Sequence, residues 1–234
     1  MTTILALDTS GDACSCALMH HGQLFDSFAI IPRQHAAQIL PMIHKVMADA
    51  GVEFTDLDAI AFGQGPGSFT GLRIAAGVTQ GIAYAANLPV VPVSTLAALA
   101  WQVSKNHTQS VNHVLSLIDA RIDEIYWGLF DCSSGFPVLQ GEEHLTAPEL
   151  VYLASTESRL MNCEAIIATG SGLSYMDRLD SGLVSNMLAC YPEAQPSASA
   201  IVHLADDMFR NGVHISAPEI VPVYLRDQVA RKPG

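Results

Sequence analysis

The sequence predicts an α/β fold of two related lobes, and three observations predict it. Each half opens on short apolar strands, the first of which delivers an aspartate into a turn, Asp8 in one half and Asp119 in the other. Each half then alternates helical and strand-like segments. At 234 residues, half of them apolar, the chain is long enough to bury two such units against a shared interface. An alternating chain with a duplicated plan sets two layered units face to face across a cleft. We expect the first lobe over 1–110 and the second over 111–234, with the last residues returning to pack on the first.

The elements follow in order. Ile4 to Leu7 is a strand leading into the turn-forming run Asp8 to Asp12, and Cys14 to Met19 and Leu24 to Ile31 complete a meander. From His35 to Ala50 the apolar residues Ala36, Ile39, Leu40, Ile43, Val46, Met47 and Ala50 recur at the spacing of one helical face. Pro41 should kink that helix or make it start anew, and Gly51 closes it. Ala59 to Phe62 is a buried strand, Gly63 to Gly71 a glycine loop, Leu72 to Ala86 a second helix, and Val90 to Val93 a strand. Ser94 or Thr95 caps a further helix through Trp101. In the second half, Val114 to Asp119, Glu124 to Phe130 and Pro137 to Gln140 repeat the meander. A helix is expected to start at Thr146 with Glu149 closing a capping box. Ala165 to Ala168 is a strand ending in Gly170-Ser171-Gly172, and Ser197 opens a last amphipathic helix to Arg210. This plan is that of the actin-like ATPase (ASKHA) fold.

Composition excludes several classes. A net charge of −12 with eleven basic residues leaves no phosphate-neutralising surface, so the chain is expected to meet RNA only through another protein. Five scattered cysteines without a Cys-x-x-Cys pair read as reduced thiols of a cytosolic protein. The N-terminus lacks the basic region of a signal peptide. No charge occurs between Arg73 and Lys105, but Asn87, Pro89 and Pro92 break that stretch, and a span needs about 20 apolar residues in one helix. We expect no membrane segment. The nine histidines include no His-x-x-x-His pair, and no Gly-x-Ser-x-Gly elbow is present, so neither a metal site nor a catalytic residue is expected.

Two sites remain. Asp8, Thr9, Ser10 and Asp119 occupy the positions where an actin-like ATPase wraps phosphate and magnesium. Asp119, Asp123 and Glu124, however, aim carboxylates at any polyphosphate, costing about 1 kcal/mol each at ~4 Å in water and more when desolvated. A working ATP site and a vestigial hairpin are both open readings, and the charge favours the second. The glycine loop lacks the lysine of a Walker motif. The helix after it carries Gly77, Gly81 and Ala85 at one per turn, and an internal glycine costs about 1 kcal/mol relative to alanine. Another backbone must therefore approach that stripe, either this chain's own sheet or a second helix or subunit. The absence of charge on every side of Leu72–Ala86 favours a subunit. With the helix at 35–50 it makes a two-helix docking surface, for which the candidate residues are His35, Ile39, Leu40, Ile43, Met47, Ile74, Gly77, Val78, Gly81 and Ile82.

The chain resembles the TsaB (YeaZ) family of bacterial tRNA threonylcarbamoyladenosine biosynthesis proteins. The resemblance rests on Ile4 to Ser10 with Ala13 to Ser15, Ile39 to Ile43, Asp58 to Gly63, Gly65-Pro-Gly-Ser-Phe-Thr-Gly-Leu-Arg73, Leu88 to Leu96, Ile118 to Arg121, Glu124 to Trp127 and Pro222 to Arg226. Gln64 departs from the arginine frequent there. The resemblance implies an actin-like fold, a cytoplasmic location and a part in forming threonylcarbamoyladenosine beside the tRNA anticodon. It further implies docking, helix pair against helix pair, onto the metal-bearing paralogue TsaD, joined by the ATPase TsaE. It leaves ATP or ADP to the level of the complex, lets the same helices pair two copies of this chain, and brings tRNA in only indirectly. An ATP-binding enzyme acting alone and a peptidase are the competing readings.

Overall fold

The computed structural model describes residues 2–106, 112–151 and 165–225. Two sheets organise it. The first contains β1 (Thr3–Asp8), β2 (Ala13–His20), β3 (Gln23–Ile30), β4 (Ala59–Gly65) and β5 (Val90–Ser94), in the order β3-β2-β1-β4-β5. The first three strands are antiparallel, while β4 and β5 run parallel to β1. The second sheet contains β6 (His113–Arg121), β7 (Glu124–Asp131), β8 (Val138–Leu139), β10 (Ile166–Thr169) and β11 (Met187–Tyr191), with β9 (His144–Thr146) paired to β7. Its order, β8-β7-β6-β10-β11, and its strand directions repeat those of the first sheet strand for strand. The duplication is thus one of topology, and the fold is actin-like.

Strand alternation divides the first sheet into two faces. Leu5, Leu7, Cys16, Leu18, Ile60 and Phe62 pack under α1 (His35–Ala50) and α2 (Phe69–Ala86). Ile4, Ala6, Ala17, Ala59, Ala61 and Val91 pack under α5 (Ala198–Arg210). The first sheet is therefore covered on its far side by a helix from the end of the sequence. Between the sheets lies α3 (Thr95–Asn106): its Leu96, Ala100 and Val103 join Val114, Phe130 and Ile167 of the second sheet. Ser116 donates its hydroxyl to the Leu96 carbonyl at 2.8 Å, tying β6 to that helix.

Three expectations are corrected. The helix 35–50 does not start anew at Pro41 but continues through it. Pro41 and Ala37, whose carbonyl loses its partner, are both exposed, so that carbonyl is open to solvent, and the stripe Ile39, Met42, Ile43, Val46 and Met47 anchors both sides of the proline. Thr146 caps no helix: it ends β9, and its hydroxyl accepts from Trp127 Nε1 at 2.9 Å. A 3-10 turn at Pro148–Leu150 follows, and residues 152–164, where the helix was expected to run, lie outside the described residues. Finally, α4 (Ser181–Ser185) and β11 occupy a stretch whose sequence predicts no element.

Candidate functional site

The turn after β1 is closed by its own lobe. Asp8, Thr9 and Ser10 are buried. The Asp8 carboxylate accepts from the Ser10 amide at 3.1 Å and the Ser10 hydroxyl at 3.0 Å through Oδ1. Ser10's carbonyl accepts from the Ser68 amide at 2.7 Å, and Thr9 donates its hydroxyl to the Gly71 carbonyl at 2.6 Å. The glycine loop is cut to fit. A Cβ at Gly63 would lie 2.0 Å from Asp8 Oδ2, one at Gly67 2.6 Å from the Ser10 carbonyl, and one at Gly71 1.8 Å from the Thr9 carbonyl. The loop and the first turn of α2, capped by Ser68, thus fill the hollow beside the turn.

Asp8 Oδ2 meets no hydrogen-bond donor among the described residues. Burial pushes the Asp8 carboxyl up to about 7, against the opposing pull of Ser10's two hydrogen bonds. Asp119, its counterpart on β6, is held by its own surroundings. Its carboxylate accepts from the Arg121 amide at 2.8 Å and pairs with the Arg121 guanidinium at 3.1 Å, and Tyr175 donates to it at 3.4 Å. Arg121, Ile122 and Asp123 all have positive φ, so the hairpin turns without a glycine. Arg178 bridges Asp123 and Glu149 at 2.8 and 2.7 Å. These residues do not fit a nucleotide phosphate: one turn is covered, its amide at Ser10 already spent on Asp8, and in the other Asp119, Asp123 and Glu149 already engage Arg121 and Arg178. Among the described residues no group of three or more His, Cys, Asp or Glu side chains could hold a metal. Burial also holds the Cys14 and Cys132 thiols up at about 11, away from nucleophilic thiolate character.

The open surface lies on the other side of α2. Leu72, Ala75, Ala76, Thr79 and Ala83 face the sheet, while Arg73, Gly77, Gln80, Gly81, Tyr84 and Ala85 are exposed, Tyr84 by 77%. A Cβ on Gly77 or Gly81 would meet nothing within 4 Å. Ile74, Val78 and Ile82 are half-buried flanks against the core below α1 and α2. On the opposite flank runs the C-terminal segment: Gln80 donates to the Ala217 carbonyl at 3.0 Å, Arg73 Nε to the Tyr224 hydroxyl at 3.1 Å, and the Val223 amide to the Gln64 carbonyl at 2.8 Å.

The ten candidate docking residues therefore separate. Leu40, Gly77 and Gly81 are exposed, and Ile74, Val78 and Ile82 partly so. His35, Ile39, Ile43 and Met47 are buried beneath α1, His35 with Nε2 3.2 Å from the Ala13 carbonyl, and this corrects their placement on a docking face. An amphipathic helix buries its apolar stripe in its own core first, leaving its other side to a partner. The exposed Tyr84 and Ala85 were not among the expected residues, whereas the return of the last residues to the first lobe was expected. Tyr84 lies one turn beyond Gln80 in the charge-free stretch, which was the available signal.

A family model described as "TsaD: tRNA N6-adenosine threonylcarbamoyltransferase" matches residues 29–233. The chain is 36% identical over 233 residues to the tRNA threonylcarbamoyladenosine biosynthesis protein TsaB of Escherichia coli, covering 98% of this chain and 96% of that protein. It is 34% identical to the TsaB of Haemophilus influenzae over the same shares. Among solved structures, YeaZ from Pseudomonas aeruginosa is 39% identical with a TM-score of 0.87, covering 96% of this chain and all of that one.

Proposed function

The chain belongs to the TsaB (YeaZ) family of tRNA threonylcarbamoyladenosine biosynthesis proteins, and from that membership we propose that it acts as a non-catalytic subunit that docks onto and activates the threonylcarbamoyl transferase TsaD. The observation that carries this reading is the outward face of α2, where Gly77 and Gly81 stand over open space. Interior helical glycines cost stability and here relieve no contact within the chain. Their use is to admit another backbone closely. A paralogue of like fold presents an equivalent helix pair, so the two chains meet in a pseudo-symmetric four-helix contact.

The Asp8 and Asp119 turns support the same division of labour, since neither fits a nucleotide phosphate, and chemistry then falls to the partner. TsaE joins the pair, and ATP or ADP belongs to the complex. The acidic chain leaves tRNA to its partners. The assembly works in the cytoplasm, and no helix of the described residues is long and apolar enough to cross a membrane. Without the transferase the same face pairs two copies of the chain.

Gly81→Trp is the test. It should leave the lone chain folded, because Gly81 is exposed and nothing lies within 4 Å of a Cβ there, while abolishing co-purification with TsaD and tRNA modification in a reconstituted system. Wild-type affinity of this variant for TsaD refutes the assignment of the face.

A further inference from the structure

Arg73 is the one charged residue of α2, set at the N-terminal end of the face just described. Its guanidinium carbon lies 3.7 Å over the Phe69 ring, its Nε donates to the Tyr224 hydroxyl, and the Phe69 and Tyr224 rings are 5.5 Å apart. Both rings are substantially exposed, by 44% and 39%. Lys45, Arg121, Arg178 and Arg210 each pair with a carboxylate. Arg73 has none within ion-pair distance among the described residues, although the chain carries twenty-three acidic side chains. The Phe69 ring lies against the guanidinium and the tyrosine takes Nε, which leaves the two terminal nitrogens as a donor fork.

We propose that Arg73, held between Phe69 and Tyr224, is the polar anchor of the docking face and receives an aspartate or glutamate side chain of the partner protein. This rests on the reading of α2 as the docking helix. Arginine and tyrosine dominate the residues that carry interface energy, and the guanidinium fork matches a carboxylate in two parallel hydrogen bonds. A side chain already immobilised loses little freedom on binding. The surrounding face is uncharged, so the anchor fixes where along α2 the partner sits. A protein carboxylate is favoured over a nucleic-acid phosphate because a chain of net charge −12 repels an extended polyanion but tolerates one acidic side chain in an otherwise apolar contact. The C-terminal segment, through Tyr224, becomes part of the interface.

The test is calorimetric titration of the full chain with purified TsaD, comparing wild type, Arg73→Ala, Arg73→Lys and Gly81→Trp at low and high salt. Arg73→Ala should weaken binding about tenfold or more and flatten its salt dependence, with circular dichroism unchanged. Lysine should recover only part of the loss. If Arg73→Ala binds within twofold of wild type while Gly81→Trp does not bind, the anchor is overturned and the docking face stands. If both variants bind like wild type, the docking face falls and the anchor with it. If Arg73→Ala binds TsaD normally but the complex loses tRNA or nucleotide, the anion is a phosphate and the proposal is likewise overturned.

Discussion

Asp8 shows how one buried carboxyl in a turn couples folding to pH. Its carboxyl is buried with one oxygen unpartnered, and burial raises it from 3.8 to about 7. Folding therefore favours the protonated form. The stability linked to this group is fully present below the unfolded value and is lost as pH rises toward 7, by up to about 1.4 kcal/mol per pH unit in that window. Asp8→Asn keeps an acceptor for Ser10 and removes the titration. Relative to wild type the variant should gain stability between pH 5 and pH 8, measured as urea midpoints at the two values. Parallel pH dependence of the two proteins contradicts this account.

At the scale of the element, α2 carries two kinds of glycine that look alike in the sequence. Gly71 has the Thr9 carbonyl against it, whereas Gly77 has open space. Gly71→Ala should cost more than about 4 kcal/mol or prevent folding. Gly77→Ala, in a helix and free of contact, should raise stability by about 0.5–1 kcal/mol. Thermal or urea unfolding of the two variants checks both signs, and destabilisation by Gly77→Ala would mean that this glycine serves the lone chain. This contrast also measures what the sequence could disclose. Periodicity located α1 and α2 because helical spacing is written locally. It could not say that Ile39, Ile43 and Met47 face inward while Gly77 and Gly81 face outward, because an apolar stripe meets a core or a partner by the same pattern. Nor could it show that Pro41 sits on the wet side of α1, or that the returning C-terminal residues settle along α2 in particular, since that contact spans some 150 positions in the case of Arg73 and Tyr224.

At the scale of the molecule, the meanders and their aspartates revealed the duplication, and the repeated strand order confirms it. The exchange of elements between halves was harder to read. Ile220, buried by all but 8%, and Ala217 join the core beneath α1 and α2, and Ile215 pairs with Val90. Ile220→Ala should cost about 2–4 kcal/mol, as expected for emptying an apolar site. Because the site lies beneath α1 and α2, the proposed docking onto TsaD should weaken with it, and calorimetry beside urea unfolding follows both.

The placement of α5 on the back of the first sheet bears on how the protein is born. Until α5 has left the ribosome, Ile4, Ala6, Ala59, Ala61 and Val91 lack most of their cover, which α3 supplies only in part through Ala97, Ala98 and Trp101. Most chains settle their leading portion during synthesis. This one leaves that face of its leading portion incompletely covered until α5 has been made.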